Sequence, residues 1–489
     1  MSSKIKGIIA GSAVLLLLIG ALIALLLTAP KDDTAAEDAA ESSTTSELSS
    51  LLYDKNPQTI QTLTIENEYG SYKVEKLGDS LYSIVEYVYI PLDTNILQSM
   101  LTSAASVTVE KTVNENAEDL SIYGLAKPKA TVTAEFNDSD KTVKELLIGN
   151  DTPIAGTTYF SFKGENKVYT IKTESIKNYL TDKTNCIQKT VFSETQPKDE
   201  NDTTYYKKIN DMKIVRDDLD YEIEIKRDER PVDPNVPISN LSSYRLTSPV
   251  LLDLDPAKCA SITEGVFGLT ASQIAVASPT EEQLKEYGII DPYASISMDT
   301  ASGVFKMKVG NEYTDEDGKK TGRYCYVKDY DVIYVFDNAS LPWVTFMPKD
   351  ITTDLITNNY IYTVSGLDFV SGDSETHFTM TGNTEENYAV KLDGNDLPLD
   401  AFKEFYQFVL KAPAEEIYTE DTKDEPSLTV TIKCTKGTTD VLEFIPVADR
   451  RTVVKVNGVV SFKCKTSYVE RLTANLELVK NGGDIITTW

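Results

Sequence analysis

The sequence is poor in the residue types on which most catalytic and metal sites depend. Among 489 residues there is one histidine, His377, and there are five cysteines with no Cys-x-x-Cys spacing. A Ser-His-Asp or Cys-His site would have to use that single imidazole, and zinc sites usually need several His or Cys ligands. His377 lies in the alternating run 376–380, which predicts a solvated strand residue. The scarcity argues against histidine-dependent catalysis and against zinc.

The motifs that mark nucleotide sites and nucleophiles are also missing. The sequence has no GxSxG elbow, no GxxxxGK[ST] loop and no GxGxxG turn. Carboxylate chemistry stays open, because 76 Asp and Glu residues always include some pairs. Nothing in the sequence selects such a pair. We therefore predict that the chain is not an enzyme, and we assign no catalytic residue, metal or cofactor.

The cysteines are predicted to be small buried hydrophobic side chains. Their number is odd, and their spacing fits neither a disulfide framework nor a metal site. Two of them lie in strand-like runs near the C-terminus and could pair if those strands were neighbours. The five are Cys186, Cys259, Cys325, Cys434 and Cys464, of which the last two are the candidate pair.

The charge of the chain is strongly acidic. The formal net charge is -28 and the isoelectric point is about 4.5, which argues against nucleic acid and against close contact with anionic lipid. A solvated exterior explains the excess, and attraction of cations or basic partners is the alternative. The run Asp315-Glu316-Asp317-Gly318 resembles a calcium loop in charge but lacks its ligand spacing, so it predicts a hairpin loop.

The N-terminal region predicts a membrane anchor. Residues 7–29 carry no charge and are long enough to cross a hydrocarbon core of about 30 Å. Lys4 and Lys6 precede this stretch and acidic residues follow it, so residues 1–6 are predicted to be cytoplasmic and the body extracellular. A cleaved signal is the alternative, although the apolar run is long for one. Residues 30–52, rich in Ala, Ser, Thr and acidic residues, predict a disordered stalk.

A phrase that occurs twice indicates internal duplication. Tyr-Gly followed by an apolar residue and then proline is found at Tyr123, Gly124 and Pro128 and again at Tyr287, Gly288 and Pro292. Each copy continues to an apolar run closed by Gly-Asn, at Gly149 and Gly310. We interpret these glycines as tight turns that use positive φ. The rings of Tyr123 and Tyr287 are predicted to pack on the strand after the proline.

The duplication extends to a helix and a strand in three places. Leu-Asp precedes a helical apolar pattern each time, and the Asp side chain is predicted to cap the helix at Asp93, Asp255 and Asp400. Strands with alternating apolar residues are predicted after Pro128, Pro292 and Pro426. The third copy lacks both the Tyr-Gly phrase and the Gly-Asn closure, so it is a degenerate repeat.

These patterns predict an α+β fold. It consists of an N-terminal transmembrane helix followed by three tandem, mostly antiparallel units, each with a sheet and a helix. The units are residues 53–190, residues 207–351 and the degenerate residues 358–482. The polar stretch 194–204 is the predicted first linker.

The order of these features resembles the bacterial family of domain of unknown function 4340. The resemblance covers the first two units and, in outline, the third. It implies one N-terminal membrane helix, a repetitive outer region and no catalytic residues. It also implies partners, since such proteins are often encoded beside ABC transporter subunits of the gliding-motility auxiliary type.

The resulting prediction is a non-enzymatic membrane protein with an extracytoplasmic binding or scaffold region. The favoured role is an accessory component of an ABC-type transport system, with the permease and ATPase subunits as partners. The alternative is an independent cell-envelope binding or adhesive module, whose ligand the sequence does not identify. A hydrolase that uses carboxylates is a third class.

Overall fold

The fold was analysed in a computed structural model, which describes residues 49–193, 209–229, 243–319, 321–353 and 355–489. Residues from Ser49 to Trp489 form one compact unit. The predicted cytoplasmic segment 1–6, the predicted membrane span 7–29 and the linker 194–204 lie outside the described residues. The predicted stalk lies outside them up to residue 48, and its last residues overlap a strand, Ser50–Asp54.

Three large antiparallel sheets and one small one make up the unit. The small sheet pairs β1 (Ser50–Asp54) with β5 (Ser106–Val109). Sheet 1 contains β2 (Ile60–Asn67), β3 (Gly70–Lys76), β4 (Tyr82–Ile84), β6 (Lys111–Asn114), β7 (Ala130–Phe136), β8 (Val143–Asp151), β9 (Thr157–Phe162) and β10 (Val168–Lys172). Sheet 2 contains β11 (Ile209–Arg216), β12 (Ile223–Arg227), β13 (Tyr244–Ser248), β14 (Leu252–Asp253), β15 (Gln273–Ala277), β16 (Ala294–Thr300), β17 (Gly303–Thr314), β18 (Thr321–Val327) and β19 (Val332–Asp337). Sheet 3 contains β20 (Val364–Ser371), β21 (Ser374–Thr381), β22 (Ala389–Leu392), β23 (Asn395–Leu397), β24 (Glu416–Ile417), β25 (Leu428–Cys434), β26 (Thr439–Val447), β27 (Arg451–Val456) and β28 (Val459–Lys465).

The helices of the described residues are fewer and mostly short. They are α1 (Thr94–Ala105), α2 (Thr173–Ile176), α3 (Pro256–Glu264), α4 (Glu281–Glu286), α5 (Pro348–Ile351), α6 (Leu399–Leu410) and α7 (Thr466–Lys480). Single 3-10 turns lie at Pro57–Thr59, Val85–Tyr87, Leu120–Tyr123, Lys177–Leu180, Lys183–Cys186, Lys328–Tyr330, Asn338–Ser340, Pro342–Val344 and Ile361–Thr363.

The predicted fold class is wrong. In place of an α+β fold behind an N-terminal transmembrane helix, the described chain is mostly β. A search of the described residues for a helix with the length and apolarity needed to cross a membrane finds none. The sequence patterns located one helix and a few strands per unit correctly. They missed other strands, including the eight-residue β2, β11 and β20 as well as strands of two to five residues.

One strand order recurs in the three large sheets. Sheet 2 runs β14-β13-β12-β11-β16-β17-β18-β19-β15, and sheet 3 runs β23-β22-β21-β20-β25-β26-β27-β28-β24. In each of these sheets, the first strands form a meander that runs from the centre of the sheet to one edge. A helix then connects to the opposite edge, and a second meander starts beside the first strand. Sheet 1 follows the same path as β4-β3-β2-β7-β8-β9-β10-β6, but it has no fourth strand beyond β4. The boundaries of the three predicted units stay a prediction.

The inner face of each sheet carries the predicted apolar residues. Val132, Ile296 and Val430 are at most 2% exposed and occupy the same place in the three sheets. Their neighbours two positions away are buried as well, as predicted from the alternation. One hydrophobic core runs through all three sheets, so burial of apolar surface joins the units as well as stabilising each.

Backbone hydrogen bonds tie each unit to the next in the same way. The chain leaving sheet 1 first bonds the Leu-Asp motif, with the Asp93 N–H donating to the Cys186 carbonyl at 2.8 Å. It then pairs with the segment after helix α3, where the Val191 N–H donates to the Leu269 carbonyl at 2.8 Å. The chain leaving sheet 2 repeats both steps. The Asp255 N–H donates to Ile351 at 2.9 Å and the Ile356 N–H to Leu410 at 2.8 Å.

A buried aromatic residue after the last strand of each sheet binds the helix of the same unit. The Tyr179 hydroxyl donates to the Met100 carbonyl at 2.5 Å, and the Trp343 indole N–H donates to Ile262 at 2.9 Å. In the third unit the Tyr468 hydroxyl reaches the carbonyls of Phe408 and Val409 at 3.0 and 3.1 Å. The last carbonyls of a helix lack a complete set of partners within it, and the donors in the second and third units bind such carbonyls, whereas Met100 lies further inside α1. The sequence analysis missed these residues because their spacing from the last strand differs in each unit.

We expect Tyr468→Phe to lower the free energy of unfolding by about 1–3 kcal/mol, because it removes the hydroxyl donor to the Val409 carbonyl and one of the two donors to the Phe408 carbonyl. Urea unfolding followed by circular dichroism measures this change. Tyr72→Phe is the matched control, since the buried Tyr72 hydroxyl has no hydrogen-bond partner among the described residues. Equal losses in the two variants would contradict a specific role for the Tyr468 hydroxyl.

Candidate functional site

The two halves of the repeated phrase contact each other in the fold. Gly124 ends the 3-10 turn Leu120–Tyr123 with φ of +72°, and a Cβ there would lie 2.6 Å from the side chain of Asn150. A Cβ at Gly149 would overlap the carbonyl oxygen of Tyr123. The Tyr-Gly turn is therefore seated directly on the Gly-Asn segment of β8, and both glycines are needed for the close approach.

The second copy repeats this contact. Gly288 has φ of +72° and lies against the side chain of Asn311, while a Cβ at Gly310 would overlap the carbonyl oxygen of Tyr287. The Asn311 N–H donates to that same carbonyl at 2.9 Å. The four residues form what we call the Tyr-Gly lock, present once on sheet 1 and once on sheet 2.

Two details of the predicted phrase are wrong. Gly149 and Gly310 do not form tight turns with positive φ; they lie inside β8 and β17, where the strand register shifts. The Tyr123 ring does not pack on the strand after Pro128 but on Tyr159 of β9, with ring centroids 5.1 Å apart. Tyr287 packs on Tyr324 in the same way at 4.5 Å. The two ring predictions were wrong because they assumed contact with the strand nearest in sequence, whereas the fold brings a strand that is more distant in sequence to the Tyr-Gly turn.

The predicted helix caps are present in two of three copies. Asp93 accepts from the N–H groups of Asn95 and Ile96, and Asp255 accepts from those of Ala257 and Lys258. Asp400 does not cap α6, because that helix begins at Leu399 and its N-cap is Pro398. The Asp400 carboxylate instead lies in the first turn, where the helix dipole favours it. Pro128, Pro292 and Pro426 each stand two residues before a strand, namely β7, β16 and β25.

The cysteines form no disulfide. Cys434 ends β25 and Cys464 lies in β28, and two strands separate them, which puts their Cα atoms at least about 14 Å apart. A disulfide needs Cα atoms within about 7 Å, so the pairing left open by the sequence is excluded. Burial raises the pKa of Cys186 and of Cys464 to about 12. Their thiols therefore stay protonated and unreactive at neutral pH.

His377 lies on the exposed face of sheet 3 in an ionic cluster. Its Nδ1 is 3.1 Å from an oxygen of Asp368, and its Nε2 is 3.4 Å from an oxygen of Glu375. Lys433 also contacts Asp368, with Nζ 2.5 Å from the second carboxylate oxygen. The hydrogen bond to Asp368 raises the pKa of His377 above its ordinary value, and nearby carboxylates add to the effect. Within the described residues no group of three His, Cys, Asp or Glu side chains could hold a metal ion.

An exposed apolar surface lies at the free edge of sheet 1, and we take it as the candidate functional site. It follows β3 and β4 along the chain and includes the most exposed large side chain of the segment, Tyr89, at 92%. Most exposed apolar residues of soluble domains are scattered singly, whereas a group in one short segment marks an interaction surface. The Leu77–Tyr89 surface consists of Leu77, Leu81, Val85, Val88 and Tyr89.

The other two sheets extend the corresponding edge by one more strand. In sheet 2, Val250 and Leu252 are buried, at 0% and 5% exposure, and β14 adds a fourth strand. The chain leaving sheet 2 bonds that strand through the Thr353 N–H and the Asp253 carbonyl at 3.1 Å, and the chain leaving sheet 1 makes the matching bond from the Gln188 N–H to the Pro91 carbonyl at 2.9 Å. Sheet 3 likewise adds β23. Sheet 1 therefore differs in lacking the fourth strand and in exposing apolar side chains on either side of β4, whose own residues are buried. In the sequence, Gly78, Asp79 and Ser80 separate Leu77 from the other apolar residues of this surface, and such residues are typical of a loop.

We expect Gly149→Ala and Gly310→Ala each to destabilise the protein by about 1–3 kcal/mol, because the added methyl overlaps a backbone carbonyl that the lock holds in place. Thermal and urea unfolding measure the loss. Gly78→Ala is the control, since its Cβ would meet only Leu81 at 3.8 Å, an ordinary contact. Wild-type stability in both lock variants would show that the turn can move away from the strand without cost.

His377 gives a second prediction, and its NMR signal is unambiguous because it is the only histidine. We expect its pKa to exceed the ordinary value of about 6.5 and to fall toward that value in Asp368→Asn. Since the folded pKa is raised, the stabilisation is complete below about pH 6.5 and is lost as pH rises through the folded pKa. An unchanged titration in Asp368→Asn would contradict the assigned contact.

The chain was compared with known proteins. Residues 83–243 match the family model described as Domain of unknown function (DUF4340). The match begins within β4 and ends just before β13, so it takes in most of sheet 1 and the first two strands of sheet 2. No curated protein and no solved structure matches the chain. The resemblance found in the sequence is confirmed over residues 83–243.

Proposed function

We propose that the chain is a non-enzymatic binding or scaffold protein of the cell envelope that docks a protein partner through the Leu77–Tyr89 surface. The observation that carries this proposal is the exposure of five large apolar side chains beside β4, at an edge where the other two sheets add a fourth strand. Exposed apolar side chains grouped in one segment favour contact with another protein chain, because that contact removes them from water.

The proposed partner is a protein subunit of an ABC-type transport system. The family resemblance supplies this class, because related proteins are often encoded beside such subunits. The proposed role is that of an accessory component whose repeated body extends from the transporter outside the cytoplasm. A body in which one continuous core joins the three sheets suits this role.

The ionic groups inside the body support a structural rather than catalytic use. Arg216, 4% exposed, donates to both carboxylate oxygens of Asp218 and to the Phe346 carbonyl. Asp253, 2% exposed, accepts from Arg245 at 2.8 Å. Each buried charge is thus satisfied by partners that hold strands or loops in place.

An independent envelope-binding or adhesive module is the second candidate. Tyr89 favours it, because a ring that is 92% exposed on a sheet edge is available to stack on a wall polymer. On this alternative the same surface binds purified wall material without any transporter subunit.

The test uses the full-length chain, tagged and expressed in its own cells, crosslinked in native membranes and purified. We expect recovery of an ABC permease and its ATPase, and loss of both when Leu81→Asp and Tyr89→Asp are combined, because charges at these positions prevent apolar contact. Mass spectrometry identifies and quantifies the recovered proteins.

Ile154→Asp is the matched control, since Ile154 is 60% exposed in a different loop of sheet 1. It should leave recovery of the permease unchanged. Permease recovery that survives the double substitution would contradict docking through this surface. Recovery of wall material alone would favour the independent module.

A further inference from the structure

A cavity lies on the outer face of sheet 2, far in sequence from the Leu77–Tyr89 surface. Its volume is about 720 Å³, and it is formed by β11, β16, β17 and β18 with Leu284 of helix α4 at its side. The central strand β16 contributes two small residues, Ser295 and Ser297, whereas long side chains stand on the strands around it. The groove forms because short side chains on β16 lie between long side chains on the neighbouring strands.

Four lysines line this groove, in a chain whose net charge is -28. Lys213 pairs across the sheet with Ser297, and Ser297 pairs with Lys306, so the two lysines flank one serine from either side. Lys308 lies two residues further along β17, about 7 Å from Lys306. Lys328 follows the end of β18, whose last residue pairs with Met307. We call these four residues and the two serines the lysine groove.

Only one of the four lysines in the groove forms an ion pair with a carboxylate among the described residues. Lys213 is bound by Glu222 at 2.5 Å, and Lys308 donates to the Ile289 carbonyl at 3.2 Å. In the part of the chain that the structure describes, no carboxylate lies within ion-pair distance of Lys306 or Lys328. Asp329 is the single acidic residue among those that line the cavity.

The fold itself does not require lysine at these positions. The strand pairing that sets Lys306 and Lys308 opposite the two serines sets Glu145 and Leu147 opposite Thr133 and Thr131 in sheet 1. In sheet 3 the same positions are Val441 and Glu443. Three copies of one architecture thus tolerate acidic, apolar and basic residues here. The clustering of lysine in one copy, against mutual repulsion, needs a reason outside folding.

The distances between the lysines suit a linear polymer with several anionic groups better than a single small anion. Neighbouring strands are about 4.8 Å apart, so Lys213 and Lys306 start about 10 Å from each other across the groove. A single phosphate could not contact them and Lys308 together, whereas an extended polymer lying in the groove could. The distant acidic surface opposes such a ligand only weakly, because salt at physiological strength screens charges beyond about 8 Å.

We propose that the lysine groove binds an extended linear polyanion, a polymer with a phosphodiester or a carboxylate in each repeat. Lys306 and Lys328 supply the unpaired charge, Ser295 and Ser297 supply hydroxyls at the floor, and Tyr326 offers a ring face at the side. The site does not depend on the Leu77–Tyr89 surface or on a transporter.

The test is isothermal titration calorimetry of the full chain with three probes. These are a glycerol-phosphate oligomer, an oligogalacturonate of equal length and charge, and inorganic phosphate. We expect at least one oligomer to bind, and the combined Lys306→Gln and Lys328→Gln change to weaken it about tenfold. Which oligomer binds identifies the anionic group.

Lys73→Gln with Lys423→Gln is the matched control. Both lysines are exposed, lie on sheet 1 and before β25, and their replacement removes the same charge. The control should change the affinity by less than about twofold. Absence of oligomer binding, equal weakening in the control, or inorganic phosphate that binds as tightly as the oligomers would overturn the proposal. None of these outcomes bears on recovery of a permease.

Discussion

The bonds that the chain makes on leaving each sheet hold the whole body together. Asp93 and Asp255 each use their side chain to cap a helix and their N–H to hold the departing chain. One residue therefore fixes the start of a helix and the direction of the connection to the next unit. Because the departing chain then pairs with the segment after the following helix, the position of each sheet depends on the one before it. A continuous core is the result.

The repeated phrase shows what sequence patterns can establish and where they fail. The helices after Asp93 and Asp400 and the inward residues of β7, β16 and β25 follow from periodicity, and the structure confirms them. Gly149 and Gly310 were correctly predicted to require glycine, but the predicted reason, a tight turn with positive φ, was wrong. Their role is a close approach between segments about 25 residues apart, and no local rule for φ predicts a contact of that kind.

The two candidate surfaces could not be predicted from the sequence, and the reasons differ. The Leu77–Tyr89 surface depends on a missing strand in sheet 1, which becomes visible only when the strand orders of three sheets are compared. The lysine groove depends on cross-strand neighbours such as Lys213, Ser297 and Lys306, which are far apart in the chain. A net charge of -28 describes the long-range field of the protein and says nothing about such a local arrangement. The sequence argument against anionic ligands therefore applies to the average surface only.

Strand β1 lies where a connection from a preceding unit would lie. It pairs with β5 directly after helix α1, and in the same way the chain leaving sheet 1 bonds Leu269 after α3 and the chain leaving sheet 2 bonds Leu410, the last residue of α6. The first unit thus receives its incoming chain by the same contacts as the second and third. An architecture of this kind can lengthen or shorten by whole units, because a gene duplication that adds one unit also supplies the surface on which it docks. The exposed edge residues of any single unit are then free to diverge, as those of sheet 1 and the outer face of sheet 2 have done.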